Sequence, residues 1–257
     1  MVLVRAAGPD AGEPIEVYVI RRHASMRFLG GYYAFPGGKV DAEDCRPETF
    51  ARCHGVTPAE AEAIIPSVDG VPALAYWVAA ARELVEETGL LLACDGAGLG
   101  VDPRAPDARE HIERCRETLL SGSASLTELL CAREWSCDVA SLRYLSHFIT
   151  PASSPIRYSA RFFLAPVPAG QSPQLFAEET SEGFWIGPAA AYARFRSGSM
   201  PMAEPAEYAF GYLAQFGSLA EVWAAHADRR HKFHGIIDRS DLFYSDRFDW
   251  TTNRFTS

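Results

Sequence analysis

Two short apolar, β-rich runs open the chain, VLVRA at 2–6 and IEVYVIRR at 15–22, separated by GPDAGEP, whose Gly, Pro and Asp predict a hairpin-like connection. The segment PAEAEAII at 58–65 has helical composition and is bounded by PSVDGVP. A longer helix is predicted from Pro72 to Gly89, since Pro suits a first turn and Gly the position just past a helix end. On its wheel Leu74, Trp77, Val78, Ala81, Leu84, Val85 and Thr88 share one side. Glu83, Glu86 and Glu87 share the other, within an arc of roughly 100° at 3.6 residues per turn. Further helices are predicted over 107–120 and 125–134, alternating strands over 142–151 and 156–167, and a strand at 182–188 that enters a helix at 188–196. Helices at 204–216 and 218–227 follow. Without internal repeats or a low-complexity linker, this order predicts an α/β (α+β) protein with 1–257 as a single domain, a helical insert at about 45–72 and a C-terminal helical extension at about 200–257.

Composition narrows the classes of partner. With 257 residues, 48% hydrophobic and 12% aromatic, the chain can bury a sizeable core. Its formal charge of −9 comes without a long basic run, so neither nucleic acid nor an anionic membrane is an expected partner. A polyanionic substrate would then need local Arg or Lys residues, or a divalent cation. No segment reaches the roughly 18 consecutive apolar residues of a membrane span, and MVLVRAAGPDAGEP lacks the layout of a signal peptide, which makes the cytoplasm the expected location. The six cysteines form no CxxC pair and are expected to be reduced and mostly packed. Cys53 and His54 with Cys45 upstream match no common zinc-finger spacing.

Three carboxylates on one helix face repel each other and call for compensation. They form either a solvated acidic face, with Arg82 pairing to Glu86 at i+4, or a site for a hard cation such as Mg²⁺ or Mn²⁺, which takes oxygen ligands and bridges carboxylates to phosphates. The flanking text bears on the choice. Five residues lead from Gly38 to Asp44, and after an interval comes Arg82-Glu83-Leu84-Val85-Glu86-Glu87-Thr88-Gly89-Leu90. This resembles the Nudix box, Gx5Ex7REUxEExGU with U aliphatic: the second half is matched at every fixed position, and FPGG at 35–38 is a common lead-in. The chain departs from the pattern twice. Between Asp44 and Arg82 lie 37 residues instead of seven, and Asp44 stands where the pattern has Glu, unless the register shifts by one to place Glu43 after Gly37. Interrupted boxes of this kind, with DAED at 41–44 after the glycines, resemble the branch that includes peroxisomal coenzyme A diphosphatases. A connecting loop lengthens at only about 0.6 kcal/mol per doubling, so the excursion is compatible with one site.

The resemblance implies a Nudix fold, an α/β/α sandwich around a mixed curved sheet, and Mg²⁺- or Mn²⁺-dependent hydrolysis of a diphosphate linkage. It implies metal ligation by Glu83, Glu86 and Glu87, an orienting role for Arg82, and close backbone approach at Gly37 and Gly38. A catalytic base from a separate loop falls among Glu178, Glu179 and Glu182, with Glu179, six residues before Trp185, the best match; the bland reading of these is an acidic surface loop. Upstream, Arg22, Arg27, Gly31 and FPGG fall in register with a coenzyme A signature of some Nudix enzymes, a partial match in which His23 replaces a small residue and Val19-Ile20-Arg21 replaces the leading residues. Arg22 and Arg27 either hold phosphate oxygens through forked hydrogen bonds or are solvated charges at a strand end. RYSARFFLAP at 157–166 also resembles a strand of the interrupted-box relatives. The implied substrate is a small nucleotide-type molecule, a nucleoside diphosphate linked to another moiety. Coenzyme A or an acyl-coenzyme A leads, with ADP-ribose, dinucleotides and nucleotide sugars as alternatives. A non-catalytic nucleotide sensor is the reading from another class, against which the intact glutamate set argues. Nudix enzymes are frequently dimers, so a homodimer is the implied assembly. The aromatic tail at 231–257 is expected to dock on the domain or on a second subunit.

Overall fold

The computed structural model describes residues 1–26, 29–65, 70–149, 158–175 and 180–228, with the backbone strands at 248–249 and 254–255. In chain order the strands are β1 (Val2–Ala6), β2 (Ile15–Arg22), β3 (Tyr33–Ala34), β4 (Cys53–His54), β5 (Ala93–Cys94), β6 (Ser136–Asp138), β7 (Arg143–Ile149), β8 (Ser159–Pro166) and β9 (Thr180–Ile186), then β10 (Phe248–Asp249) paired with β11 (Arg254–Phe255). The helices are α1 (Pro47–Phe50), α2 (Pro58–Ile64), α3 (Ala73–Thr88), α4 (Pro106–Leu120), α5 (Leu126–Cys131), α6 (Pro188–Arg196), α7 (Glu204–Leu213) and α8 (Leu219–Ala225). Contacts divide the chain into two compact units, one built mainly from Pro36–Leu142 with Ala165–Phe176, the other from Val2–Phe35, Arg143–Leu164 and the residues from Ala177 onward.

The second unit holds a six-stranded sheet in the order β3-β2-β1-β8-β7, with β9 also pairing β2. The β1–β2, β2–β3, β2–β9 and β7–β8 pairs are antiparallel. Strand β2 is buried on both faces: Ile15, Val17 and Val19 enter the core cluster, while Tyr18, equally buried, packs on Trp185 with ring centroids 5.2 Å apart. That two-sided burial explains the unbroken apolar stretch Val17–Ile20 within it. Helix α7 contributes Ala206, Tyr208, Phe210 and Leu213 to the same cluster.

The first unit is organised around α3. Leu74, Trp77, Val78, Ala81, Leu84, Val85 and Thr88 are all buried, the stripe that the wheel predicts. Gly89 ends the helix in the left-handed conformation, φ 72°, with its N–H donating to the Val85 carbonyl. The segment between the two halves of the box is folded structure: a 3₁₀ turn at Glu43–Cys45, α1, β4 and α2, the last opened by a capping box of Thr57 and Glu60. It is tied to its surroundings in several places. Strand β4 pairs in parallel with β6, which pairs antiparallel with β5 to complete a small mixed sheet. The Glu62 carboxylate accepts the Ala73 N–H at 3.1 Å, satisfying a donor at the α3 N-terminus that Pro72 has no side chain to satisfy. The Thr49 and Thr127 hydroxyls meet at 2.8 Å.

Several boundaries differ from expectation. The strand expected at 182–188 spans Thr180–Ile186, set by its pairing with β2. The helix expected over 125–134 stops at Cys131, because the chain reverses through Glu134 at φ 57° to bury Trp135. Among the described residues no helix is long and apolar enough to cross a membrane. Apart from the backbone of β10 and β11, the aromatic tail and its expected docking lie outside the described residues.

Candidate active site

The two halves of the split box meet around one guanidinium. Arg82, in the middle of α3, is only 6% exposed, and Asp44, from the 3₁₀ turn that opens the insert, is 2% exposed. Arg82 Nε donates to Asp44 Oδ1 at 3.0 Å and Nη2 to Oδ2 at 3.0 Å, a forked pair between residues 38 apart in sequence. The remaining donors are also used: Nη2 reaches the Lys39 carbonyl at 2.7 Å, and Nη1 reaches Glu83 at 3.0 Å and Glu86 at 3.1 Å. Only the planar fork of arginine serves so many acceptors from one position, so lysine is no substitute. Burial works against the cation. The Asp44 hydrogen bonds, with the charges of Asp44, Glu83 and Glu86, more than offset this and raise its pKa.

The glycine loop closes over the same helix face. The Gly37 N–H donates to Glu87 Oε2 at 2.9 Å and the Lys39 N–H to Glu83 Oε1 at 3.2 Å. A Cβ on Gly38 would lie 2.5 Å from Glu83 Cδ, so this position admits no side chain while the carboxylate stays in place. At the far end, Arg116 covers the last carbonyls of α3, its Nε donating to Glu86 O at 2.9 Å.

The charges do not balance. Asp41, Asp44, Glu83 and Glu86 all lie within 4 Å of the one guanidinium, a formal −3 before Glu87 is added. Burial, reinforced by Glu86 and opposed by Arg82, pushes the Glu83 carboxyl above its ordinary range. Among the described residues no three acidic, His or Cys side chains are already gathered to hold an ion, because Glu83 and Glu86 turn onto Arg82 and Glu87 onto Gly37. The donor set fits a divalent hard cation in chemistry and in sign: the groups are carboxylate oxygens, and the excess negative charge is what such an ion would offset.

Of the other sequence candidates, Arg22 ends β2 in the second unit, where its backbone N–H donates to Tyr32 O at 2.9 Å and its carbonyl accepts from Gly31 at 3.1 Å. Its neighbour Arg21 pairs with Glu182 at 2.7 Å and lies over the Tyr33 ring, so Glu182 is engaged by a cation. Arg27, Glu178 and Glu179 lie outside the described residues. Sequence reasoning missed the parts played by Asp41 and the Lys39 carbonyl. The acidic spacing of DAED was the available signal for Asp41, and a backbone carbonyl leaves none.

A glutamate helix paired through its arginine to a glycine loop, on a mixed α/β fold, defines a Nudix hydrolase, and the comparisons agree. The chain belongs to this family: a model described as the NUDT19 Nudix domain matches residues 2–213. Among individual proteins, it is similar to one from Gallus gallus named acyl-coenzyme A diphosphatase NUDT19, 25% identical over 270 residues that cover 89% of this chain and 70% of that protein. It is also similar to putative nudix hydrolase 7 of Caenorhabditis elegans, 25% identical over 202 residues, covering 77% of this chain and 56% of that one. The crystal structure of a NUDIX hydrolase from Alicyclobacillus acidocaldarius superposes with a TM-score of 0.67 at 31% identity, covering 87% of this chain and 92% of the other.

Proposed function

We propose that the protein is a divalent-metal-dependent diphosphatase that hydrolyses a nucleoside diphosphate linked to another moiety, coenzyme A or an acyl-coenzyme A in particular. The observation that carries this reading is the acidic excess around Arg82, assembled from both sides of the interrupted box. Glu83, Glu86 and Glu87 are the residues that would hold Mg²⁺ or Mn²⁺, which when bound supplies charge neutralisation at the phosphate oxygens and a nucleophilic water at neutral pH. Arg82 fixes the rotamers of Glu83 and Glu86, and Asp44 fixes Arg82. The Gly37 and Lys39 N–H groups position Glu87 and Glu83. In this reading Glu179 accepts the proton of the attacking water, and Arg22 and Arg27 receive anionic oxygens of the substrate through forked hydrogen bonds. The activity in the name of the Gallus gallus relative supports the choice of substrate. ADP-ribose, dinucleotides and nucleotide sugars are the other members of the substrate class.

The test is turnover by the purified protein, with Mg²⁺ or Mn²⁺, of coenzyme A, an acyl-coenzyme A, ADP-ribose, NADH and diadenosine polyphosphates. Higher kcat/KM on the coenzyme A species is the expected result. Preferred cleavage of another member would overturn the substrate assignment, and tight binding without any turnover would favour a nucleotide sensor.

A further inference from the structure

An α-helix leaves its last four carbonyls without an intrahelical donor. In α3 these belong to Val85, Glu86, Glu87 and Thr88, and each of the four is supplied with one. The Gly89 N–H donates to Val85 O at 2.8 Å, and the Gln174 N–H, from the segment that follows β8, donates to Thr88 O at 2.8 Å. Arg116 of α4 covers the two between, with Nε donating to Glu86 O at 2.9 Å and Nη2 to Glu87 O at 3.4 Å. The fork of one guanidinium therefore holds the backbone of two adjacent residues whose side chains are the proposed ion ligands.

Gln174 is held in its turn. Three residues before it, Gln171 Oε1 accepts the Leu91 N–H at 2.8 Å and Nε2 donates to Leu91 O at 3.0 Å, so one side-chain amide pairs with both backbone groups just past the helix. Arg116, Gln171 and Gln174 all belong to the same compact unit as α3. A cavity of about 230 Å³ lies against this helix end, with Gly89, Ile112, Arg116, Gln171 and Gln174 in its wall, so hydrogen bonds rather than close packing fix the last turn on this side. The turn has reason to be fixed. Helix ends fray, and Glu86 and Glu87 project about 100° apart on the wheel, so their carboxylates keep a constant separation only while both residues stay helical.

We infer that Arg116 and Gln171 are positioning residues of the ion site, acting not by contact with the ion but through the last turn of α3, which they hold so that Glu86 and Glu87 are presented as ligands. This role rests on the reading of the glutamate helix as the metal site and adds two residues, both beyond the box, on which its affinity depends. Charge and bracing have opposite signs here. As a bare charge Arg116 repels a divalent cation, so its removal would tighten binding, whereas removal of a brace loosens it.

Binding of Mn²⁺ to the substrate-free protein, followed by the loss of the aqueous Mn²⁺ electron paramagnetic resonance signal, tests the role without turnover. Arg116→Met is expected to weaken Mn²⁺ at least about tenfold, the usual effect of losing a partner that orients metal ligands. Arg116→Lys keeps the charge and loses the fork, and its affinity should fall between those of Arg116→Met and the wild type. Gln171→Met changes no charge and should weaken Mn²⁺ in the same direction by a smaller factor; it decides the matter alone if urea unfolding without metal shows that the Arg116 variants do not fold. Tighter Mn²⁺ binding by Arg116→Met, the sign of a lost charge, or unchanged binding by folded Arg116→Met or Gln171→Met, would overturn the inference and leave the metal reading intact. Absence of Mn²⁺ binding to the wild type would refute the metal reading itself, and the positioning role with it.

Discussion

Replacing Arg82 by Met keeps most of the side-chain volume and removes the charge that organises the cluster. Asp44, 2% exposed, would keep the Asp41 N–H at 2.8 Å as a donor and lose both arms of its forked pair. Breaking a buried ion pair from one side costs about 3–5 kcal/mol, mostly because the surviving charge is left without a partner. Asp44→Asn is milder, since Arg82 retains Glu83, Glu86 and the Lys39 carbonyl, and about 1–3 kcal/mol is expected. In the double variant neither charge is stranded, so its loss should fall short of the sum by about 1–3 kcal/mol, the range of coupling for residues in one network. Urea unfolding at pH 7 measures all four proteins, with the slope m required to stay constant. Additivity within about 0.5 kcal/mol, or a loss below about 1 kcal/mol for Arg82→Met, would refute the claim that this pair joins the halves of the box.

Three other outcomes follow from the same geometry. Gly38→Ala should displace the Glu83 carboxylate, lowering kcat at least tenfold with unfolding stability changed by less than about 1 kcal/mol, because the group that must move is the end of a flexible side chain; unchanged kcat would contradict the close approach. Mg²⁺ at ten times its dissociation constant should stabilise the fold by about 1.4 kcal/mol, seen as a rise in Tm that Glu83→Gln with Glu87→Gln abolishes; a rise that persists in that variant would place the ion elsewhere. Glu207 on α7 is 2% exposed with Oε1 lacking a hydrogen bond, and burial, with Glu204 adding and Arg196 opposing, pushes its carboxyl up to about 7. Between the ordinary value of 4.5 and about 7 the folded state keeps a proton that the unfolded state has lost, so stability falls as pH rises through that window. Glu207→Gln should therefore be more stable than wild type at pH 8, by about 3 kcal/mol at most, and show no such gain at pH 4; a pH-independent difference would contradict the assignment.

The glutamate helix was legible because a 3.6-residue period sorts its positions into a buried stripe and a carboxylate face, and Gly89 marks its end. Periodicity alone misplaces Arg82. A cation reads as a surface residue, yet here it is buried, and the reason is a carboxylate 38 residues upstream that only a motif brings to mind. The insert's helix showed in composition, while its attachment did not. Strands β4, β5 and β6 have two or three residues each, too few to display alternation, and their pairing is non-local. Strand β2, read as β-rich, proved buried on both faces over the apolar stretch Val17–Ile20.

The most direct test is the rate of coenzyme A hydrolysis in Mg²⁺ by the wild type and by Glu86→Gln, which preserves the shape and one of the two oxygens that accept from Arg82 while removing one negative charge from the cluster. Cleavage at the diphosphate by the wild type is expected, with a loss of at least about 100-fold in kcat for the variant, comparable to removal of a group that stabilises charge in a transition state. Turnover of the variant at the wild-type rate would contradict the assignment of the glutamate helix as the metal-binding centre.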